Sequence, residues 1–125
     1  MPRSEEAEHW FNAVYAAIQH IPPGKVTCYS HIAYLLGEPQ RARQVGVCLK
    51  YLPAPDSGQF FNAANVPWQR VVNSRGMISK REPGGAERQA EVLRDEGVQV
   101  TADAMGELYI DFESCGWFPL ELDDI

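Results

Sequence analysis

The sequence predicts a small α+β domain that contains a helix-turn-helix, and three of its features support this fold class. Apolar side chains recur at three- and four-residue steps in several segments, which is the period of an amphipathic helix. Two of these segments are separated only by Gly37-Glu38-Pro39, a spacing typical of a helix-turn-helix. In the last third of the chain apolar residues alternate instead, which predicts short strands.

The length and composition predict one folded domain over residues 1–125. With 45% hydrophobic and 22% charged residues the chain is an ordinary globular protein, since single cores typically reach about 100–150 residues. No apolar run is long enough to cross a bilayer, and the acidic N-terminal segment lacks the pattern of a signal peptide. We therefore expect a soluble intracellular monomer that has no membrane partner.

The first predicted helix is followed by an extended stretch. Ser4 is placed to N-cap the helix, and Pro22-Pro23-Gly24 ends it. Its apolar stripe consists of Trp10, Phe11, Val14, Ile18 and Ile21. The residues from Val26 to Tyr29 are then predicted to be extended.

The next two helices form the predicted helix-turn-helix. Ser30 is placed to N-cap the second helix, which ends at Gly37. The third helix has Pro39 in its first turn and runs to about Tyr51. The inward residues are Ile32, Ala33, Leu35 and Leu36 on the second helix and Ala42, Val45, Leu49 and Leu52 on the third.

The second half of the chain predicts a loop, a fourth helix and short strands. Residues 53–65 lack periodicity and are predicted to be a flexible, exposed loop from which Phe60 and Phe61 pack back onto the body. Residues 66–79 predict a turn and strand, and a helix is expected from about Gly85 to Glu96. The alternating residues of the predicted strands are Val98, Val100, Leu108, Ile110 and Phe112. The acidic tail, expected to be solvated, contains Glu121, Asp123 and Asp124.

The charges are segregated along the chain, which has a net charge of −6. From Lys25 to Arg81 there are eight basic residues and two carboxylates, a net charge of +6, and the remaining residues carry a net charge of −12. A local basic surface determines phosphate contact within a Debye length of about 10 Å. The acidic total therefore does not exclude a nucleic-acid partner.

The cysteines and histidines predict neither a metal site nor a disulfide framework. Cys28, Cys48 and Cys115 form no C-x-x-C pair and have no histidine at ligand spacing, so we expect free, mostly buried thiols. The histidines at positions 9, 20 and 31 lie on or near helix ends and are expected to face solvent. The sequence implies no cofactor and no metal.

The most informative segment is residues 66–76, Val-Pro-Trp-Gln-Arg-Val-Val-Asn-Ser-Arg-Gly. Together with Arg-Ala-Arg-Gln-Val-Gly at 41–46 and Asp-Glu-Gly at 95–97, it resembles the DNA-binding domain of the O6-alkylguanine-DNA alkyltransferases. Those proteins carry a Pro-Cys-His-Arg-Val motif whose cysteine accepts the alkyl group. Here Trp68 stands at the cysteine position, which marks the alkyltransferase-like proteins, the relatives that bind alkylated guanine without repairing it.

The resemblance extends over roughly residues 11–97 and implies a winged-helix-like domain, as in the C-terminal domain of the alkyltransferases. The chain departs from the family pattern at Gln69, where alkyltransferase-like proteins usually retain histidine, and in the length of the 53–65 loop. Alkyl transfer needs a thiolate and a base that produces it. Because an indole is no nucleophile and an amide is no base, we expect no catalytic residue. Glu96, at the position of the family's carboxylate, is expected to support the region around Arg70.

The resemblance assigns DNA-binding roles to the third helix and its surroundings. Arg43, by default a solvated charge, becomes the finger that fills the gap left by an extruded base. Gly46 allows close approach to the minor groove, whereas Lys50 either reaches a phosphate or is simply solvated. Tyr29 either presses the phosphate of the target nucleotide or packs in the core. The expected DNA-binding residues are Tyr29, Ala42, Arg43, Gly46, Lys50 and Ser74.

The resemblance also implies a pocket for the flipped base. Trp68 either forms a stacking wall of this pocket or merely fills the position of the absent cysteine. Arg81 is placed over the pocket, where its guanidinium can donate to the base edge, and Arg70 is expected to pair with backbone carbonyls. The expected pocket residues are Val66, Pro67, Trp68, Ser79 and Arg81.

The resemblance therefore implies a protein that binds O6-alkylguanine in double-stranded DNA by minor-groove docking and nucleotide flipping. It would leave the alkyl group in place and mark the lesion for nucleotide excision repair proteins, in the nucleus of a eukaryote or the cytoplasm of a bacterium. Two alternatives remain at this point. One is a weak DNA alkyltransferase or glycosylase, and the other is a helix-turn-helix transcription regulator that prefers a base sequence over a lesion.

Overall fold

The computed structural model describes residues 3–80 and 83–122, so positions 123–125 of the acidic tail lie outside it. The α-helices within these ranges are α1 (Glu5–Ile18), α2 (Tyr29–Leu35), α3 (Ala42–Lys50), α4 (Gly85–Asp95) and α5 (Phe112–Cys115). The strands are β1 (Thr27–Cys28), β2 (Val71–Val72), β3 (Thr101–Ala102) and β4 (Leu108–Tyr109). Turns of 3₁₀ helix over Pro39–Arg41 and Trp68–Arg70 precede α3 and β2. None of the helices described is long and apolar enough to span a membrane.

The first helix begins and packs as the sequence predicts. Ser4 has extended backbone dihedrals, and its hydroxyl oxygen accepts a hydrogen bond from the backbone nitrogen of Ala7 at 3.1 Å. This bond satisfies one of the free N–H groups of the first turn. The apolar face of α1 packs into a core cluster shared with α2 and α3. The buried residues of α1 are Trp10, Val14, Tyr15, Ala17 and Ile18.

The helices α2 and α3 form the predicted helix-turn-helix. The prediction that Ser30 caps α2 is wrong, because β1 runs directly into the helix and Cys28 occupies the N-cap position. The Ser30 hydroxyl lies in the first turn, 3.2 Å from the sulfur of Cys28. Gly37 has a φ of +77° and ends the α2 turn, and Pro39 then starts the 3₁₀ turn that leads into α3.

A parallel pair of two-residue strands connects the two parts of the core. Thr27 pairs with Val71, and Cys28 pairs with Val72. Val71 belongs to the cluster of α1, α2 and α3, whereas Val72 belongs to a second cluster that includes α4 and the C-terminal hairpin. The strand pair β1–β2 therefore lies where the two clusters meet.

The C-terminal part consists of α4, a small hairpin and α5. The strands β3 and β4 pair in antiparallel fashion. The prediction that the first strand contains Val98 and Val100 is wrong, because both are buried but precede β3. The prediction that Phe112 continues a strand is wrong, because the Asp111 carboxylate accepts a hydrogen bond from the backbone of Glu113 and starts α5.

Of the two phenylalanines in the 53–65 loop, one packs onto the body of the domain and the other does not. The Phe61 ring lies 5.8 Å from that of Tyr15 and joins the first core cluster, as predicted. Phe60 is 82% exposed, so the prediction that it also packs back is wrong. The side-chain amide of Asn65 donates to the Phe60 carbonyl at 2.8 Å. Polar side chains, rather than the Phe60 ring, thus hold this part of the loop.

The prediction that all three histidines face solvent is wrong for His31, which is partly buried. His9 and His20 are exposed, as predicted. The Nε2 of His31 lies 2.7 Å from the carbonyl oxygen of Pro119. The imidazole ring also contacts the rings of Tyr34 and Phe118, at 5.3 and 5.1 Å between centroids. The C-terminal segment covers this side of α2, a contact between residues 88 positions apart that a local pattern does not contain.

We expect replacement of Gly76 to cost more stability than replacement of Gly37. Both have positive φ angles, but a Cβ at Gly76 would lie 2.6 Å from the carbonyl oxygen of Ile110, whereas a Cβ at Gly37 would meet nothing within 4 Å. Gly37→Ala should lower the free energy of unfolding by about 1–2 kcal/mol through backbone strain. Gly76→Ala should cost about 1–3 kcal/mol more, because it adds overpacking. Urea unfolding measures both, and equal losses would contradict the role given to Ile110.

Candidate nucleic-acid interface

The outer face of α3 presents basic and apolar side chains to solvent. Arg43, Val47 and Lys50 are exposed along one side of the helix, while Ala42 at its start is half-buried. A Cβ built on Gly46 would meet no atom within 4 Å, so the surface in front of this glycine is open. The opposite face packs into the first core cluster through Val45, Cys48 and Leu49. The helix therefore rests on the core and leaves its basic side free.

A cleft of about 620 Å³ opens beside the C-terminal end of α3. It lies between α3 and the first half of α4, with Trp68 from the 3₁₀ turn in its wall. The described residues that line it are Leu49, Lys50, Leu52, Ala63, Trp68, Ser79, Gly85, Arg88 and Gln89. Lys50 belongs both to the outer face of α3 and to the cleft. The basic helix face and the cleft are therefore continuous.

Tyr29 stands next to this cleft. Its hydroxyl donates to the Ser79 hydroxyl at 3.4 Å, which joins the start of α2 to the cleft wall. Tyr29 itself is half-buried and packs against the first core cluster. The structure thus brings together Tyr29, Ser79, Trp68 and Lys50, four of the residues that the sequence singles out.

The other expected site residues lie differently. Val66 is 1% exposed and belongs to the core, and Pro67 is half-buried; neither is among the described residues that line the cleft. Val66 supports the Trp68 turn from the interior, where its carbonyl accepts from the Trp68 nitrogen at 2.7 Å. Ser74 is exposed in the turn that follows β2. Arg81 lies outside the described residues.

Sequence reasoning missed six of the lining residues, and two of these, Arg88 and Gln89 of α4, carry polar side chains. The signal for Gln89 was present in the sequence. It lies on the same helix face as Ala86, Ala90 and Leu93, so it is a polar residue inside an apolar stripe. Arg88 is exposed and gives no comparable signal.

Behind the cleft, the carboxylate of Glu96 holds the Trp68 turn in place. Its oxygens accept hydrogen bonds from Gln69 Nε2 at 2.6 Å, from Arg70 Nε and Nη2 at 3.0 Å, and from the Gly24 nitrogen at 3.2 Å. Arg70 also donates through Nη1 to the Ile21 carbonyl at 2.7 Å, so the expectation that it pairs with a backbone carbonyl is confirmed. Glu96 supports the Arg70 region, as the sequence predicts.

The Glu96 carboxyl is held in its ionised form. Burial alone would raise its pKa, but the hydrogen bonds from Arg70, Gln69 and the Gly24 nitrogen, together with the charge of Arg70, lower the pKa below its usual value. The Gln69 amide, 8% exposed, donates to this carboxylate. An amide takes no proton at neutral pH, so Gln69 itself is no general base.

The thiols lie in the interior of the protein. All three cysteines are free and buried. Burial raises the pKa of the Cys48 thiol to about 12, and burial, followed by the charge of Asp111, raises the pKa of Cys115. No cysteine or histidine is among the described residues that line the cleft. Over the same part of the chain, no group of histidine, cysteine and carboxylate side chains is arranged to hold a metal ion.

Comparison with known proteins identifies the family of this helix-turn-helix protein. Residues 9–98 match the model of the 6-O-methylguanine DNA methyltransferase DNA-binding domain. Alkyltransferase-like protein 1 of Schizosaccharomyces pombe is 40% identical over 90% of this chain and 97% of its own length. The DNA base-flipping protein of Escherichia coli is 36% identical over 92% of this chain and 79% of its own length. The chain belongs to the 6-O-methylguanine DNA methyltransferase DNA-binding family, and within it to the alkyltransferase-like proteins.

Solved structures agree with this assignment. S. pombe Atl1 in complex with damaged DNA containing O6-carboxymethylguanine matches with a TM-score of 0.77 and 39% identity, over 94% of this chain and 100% of that one. The Mycobacterium tuberculosis OGT in complex with DNA matches with a TM-score of 0.60 and 27% identity, over 76% of this chain and 51% of that one. The predicted fold class, a small α+β domain with a DNA-binding helix-turn-helix, is confirmed.

We expect Glu96→Gln to destabilise the protein in a pH-dependent way. The substitution leaves the Arg70 guanidinium without its charged acceptor, and hydrogen bonds to charged groups contribute about 1.5–3 kcal/mol. Because the folded pKa is lowered, this contribution is fully present above the ordinary glutamate value of 4.5 and is lost as the pH falls through the folded value. Urea unfolding between neutral and acidic pH should show a difference between wild type and variant that shrinks in acid.

Glu91→Gln provides the matched control for this measurement. Glu91 is exposed on α4, the helix that Glu96 follows as its C-cap, and its replacement should change the free energy of unfolding by less than about 0.5 kcal/mol. A loss for Glu96→Gln that is the same at every pH would show that the ionised carboxylate is not what stabilises the Trp68 turn.

Proposed function

We propose that this protein binds O6-alkylguanine in duplex DNA, extrudes the nucleotide into the Trp68 cleft and leaves the alkyl group in place. The observation that carries the proposal is the continuity of the basic face of α3 with a cleft that is walled by an indole. Among the relatives, Atl1 has a crystal structure in complex with damaged DNA that contains O6-carboxymethylguanine. Our chain has the same fold over nearly its whole length.

On the DNA side, α3 is proposed to enter the minor groove. Arg43 projects from its exposed face, and a planar guanidinium can fill the gap left by an extruded base and bond to the unpaired partner. The open surface at Gly46 permits close approach of the helix backbone. Lys50, one turn beyond, is proposed to contact a phosphate. Ala42 and Ser74 stay predicted DNA contacts.

The cleft suits a flipped base in size and chemistry. Its volume of about 620 Å³ falls within the range of about 300–1,000 Å³ that is usual for small-molecule sites. The ring of Trp68 offers a stacking surface, and stacking on an aromatic side chain contributes about 1–3 kcal/mol per base. Tyr29 is proposed to press the phosphate of the extruded nucleotide, since its hydroxyl lies beside Ser79 at the cleft wall. Arg81, Val66 and Pro67 stay predicted pocket residues.

The absence of alkyl transfer is proposed from the two substituted motif positions. Trp68 replaces the acceptor cysteine of the alkyltransferases and Gln69 replaces the neighbouring histidine. The carboxylate at Glu96 remains, but its hydrogen bonds stabilise the fold. With no thiolate and no imidazole at these positions, the bound alkyl group has no acceptor.

Three broader proposals accompany this function. Residues 1–125 are proposed to act as one DNA-binding domain, since the two core clusters meet at the β1–β2 pair. The bound protein is proposed to mark the lesion for nucleotide excision repair, a step that rests on the resemblance alone. It would act as a monomer, in the nucleus of a eukaryote or the cytoplasm of a bacterium.

The function is tested by affinity for two duplexes that differ at one guanine. A duplex with O6-methylguanine should bind at least about tenfold more tightly than the unmodified duplex, because the alkylated base pairs poorly and stacks in the cleft. Arg43→Ala should remove most of this ratio, since the gap in the base stack is then unfilled. Equal titration curves for the two duplexes with the wild-type protein would contradict the proposed function.

Lys50→Ala is the control that separates anchoring from flipping. It should weaken both duplexes alike and reduce the salt dependence of binding by about one counterion. A helix-turn-helix transcription regulator would instead show an affinity that depends on the base sequence of the duplex and not on the lesion. An Arg43→Ala protein that kept the wild-type affinity ratio would show that Arg43 is not the finger.

Restoring the nucleophile alone should not restore repair. In Trp68→Cys the thiol, with a pKa of about 8.5, would be only a few per cent thiolate at pH 7, and the Gln69 amide cannot accept its proton. The double variant Trp68→Cys/Gln69→His should transfer alkyl groups about 10²–10⁴-fold faster, with Glu96 available to orient the imidazole. Protein mass against time at saturating DNA measures both. Comparable fast transfer by the single variant would contradict this prediction, and a mass shift of the wild-type protein would establish a transferase.

A further inference from the structure

Lys80 and Glu107 form an ion pair at the rim of the Trp68 cleft. The Lys80 Nζ lies 3.3 Å from Glu107 Oε1, and the two side chains are 57% and 30% exposed. Lys80 directly follows Ser79, which lines the cleft, so the lysine stands at the rim and not inside. Across residues 3–80 and 83–122, the other two ion pairs lie at the start of α1 and behind the cleft. The Lys80 pair is therefore the one that stands beside the opening.

The segment that carries Lys80 lies on the same side of the protein as the basic face of α3. The Ser79 hydroxyl accepts a hydrogen bond from Tyr29, and Ser79 lines the same cleft as Lys50. Lys50 is also part of the exposed face of α3. The cleft is thus bordered by one lysine from α3 and a second from the segment after β2. A duplex that docks on α3 and delivers a nucleotide to the cleft brings its phosphates close to both.

The two members of the ion pair differ in how firmly they are held. The Asp103 carboxylate accepts a hydrogen bond from the Glu107 nitrogen at 2.9 Å, and the Asp103 nitrogen donates to the Glu107 carbonyl at 3.0 Å. The Ile78 nitrogen donates to the Leu108 carbonyl at 2.8 Å, which holds the hairpin against the Lys80 segment. The Lys80 ammonium, by contrast, sits on a flexible four-carbon stem. Because exposed ion pairs are weak, a phosphate can compete with this carboxylate for the ammonium.

We propose that Lys80 contacts a phosphate of duplex DNA at the rim of the cleft, and that Glu107 is the counter-charge that it leaves on binding. This inference rests on the proposed function of the cleft. In the free protein the carboxylate neutralises the lysine. In the complex the ammonium turns to the phosphate and releases a condensed counterion. Glu107 is a positioning residue that acts through Lys80 and lowers the affinity for DNA.

A double-mutant cycle tests the exchange of partners. The dissociation constant for the O6-methylguanine duplex is measured for the wild type, Lys80→Ala, Glu107→Gln and the double variant. Both side chains reach the surface, and the hairpin bonds of Glu107 use only its backbone, so we expect all four proteins to fold. Glu107→Gln should bind more tightly than the wild type. This gain should be about two- to fivefold larger with Lys80 present than in the Lys80→Ala background, the usual strength of an exposed ion pair.

The cycle separates the ion pair from the general effect of charge. Removing a carboxylate beside DNA strengthens binding through weaker repulsion of the phosphates, but this gain is the same whether or not Lys80 is present. Only the difference between the two backgrounds reports a pair that is intact in the free protein and broken in the complex. Equal gains in both backgrounds overturn the proposal, because the pair would then survive binding.

The salt dependence of binding tests the phosphate contact itself. Lys80→Ala should reduce the slope of log K against log salt concentration by about 0.9, the value for one phosphate contact on B-DNA. Lys25→Ala is the matched control. Lys25 is exposed, and its charge acts on Cys115 of α5, away from the residues that line the cleft, so its removal should leave the slope unchanged. A wild-type slope in Lys80→Ala overturns the proposal.

The same measurements on the unmodified duplex distinguish this inference from the proposed function. Both duplexes carry the same phosphates, so the difference between backgrounds and the change of slope should appear with each. Failure of the proposed function shows as equal affinities of the wild type for the two duplexes. Failure of this inference shows as additive effects of the two substitutions while the wild type still prefers O6-methylguanine.

Discussion

The ionised carboxylate of Glu96 is the group on which the shape of the site depends. It receives hydrogen bonds from Gln69, Arg70 and the backbone of Gly24, and Arg70 extends the network to the Ile21 carbonyl. These contacts connect three segments that are distant in sequence: the link between α1 and β1, the Trp68 turn and the end of α4. Because the Trp68 turn and α4 are two sides of the cleft, their relative position follows from this network.

The third side of the cleft belongs to the helix that carries the exposed basic residues. Leu49 faces the core from α3 and also lines the cleft, while Lys50 lines the cleft from the solvent side. A single rigid element therefore serves both the outer surface and the cavity. Tyr29, at the start of α2, adds a hydroxyl contact to Ser79 from the other side. Motion of α3 relative to the core would change the surface and the cavity together.

Much of the fold was predictable because its signals are local. Helix periodicity placed α1, α3 and α4, and the substituted motif pointed to Trp68 and Gln69 before any geometry was considered. The cap of α2 and the environment of His31 were not predictable, since a preceding strand and a distant C-terminal segment determine them. In the site, Val66 is buried and supports the Trp68 turn from the interior, which its sequence neighbours do not indicate. Gln89 became visible only through its bonds across to β2. The contacts of Arg43 stay predictions because they involve a DNA duplex.

The position of Glu96 has an evolutionary consequence. The resemblance to alkyltransferases assigns this carboxylate to the activation of a nucleophile, yet here it is required to hold Arg70 and the Trp68 turn. Natural selection for a stable fold would preserve it even in a lineage in which no chemistry takes place. Replacing Trp68 or Gln69 removes no charge from this network, whereas replacing Glu96 leaves the Arg70 guanidinium without its charged acceptor. The carboxylate is therefore retained for stability whether or not the cleft carries out a reaction.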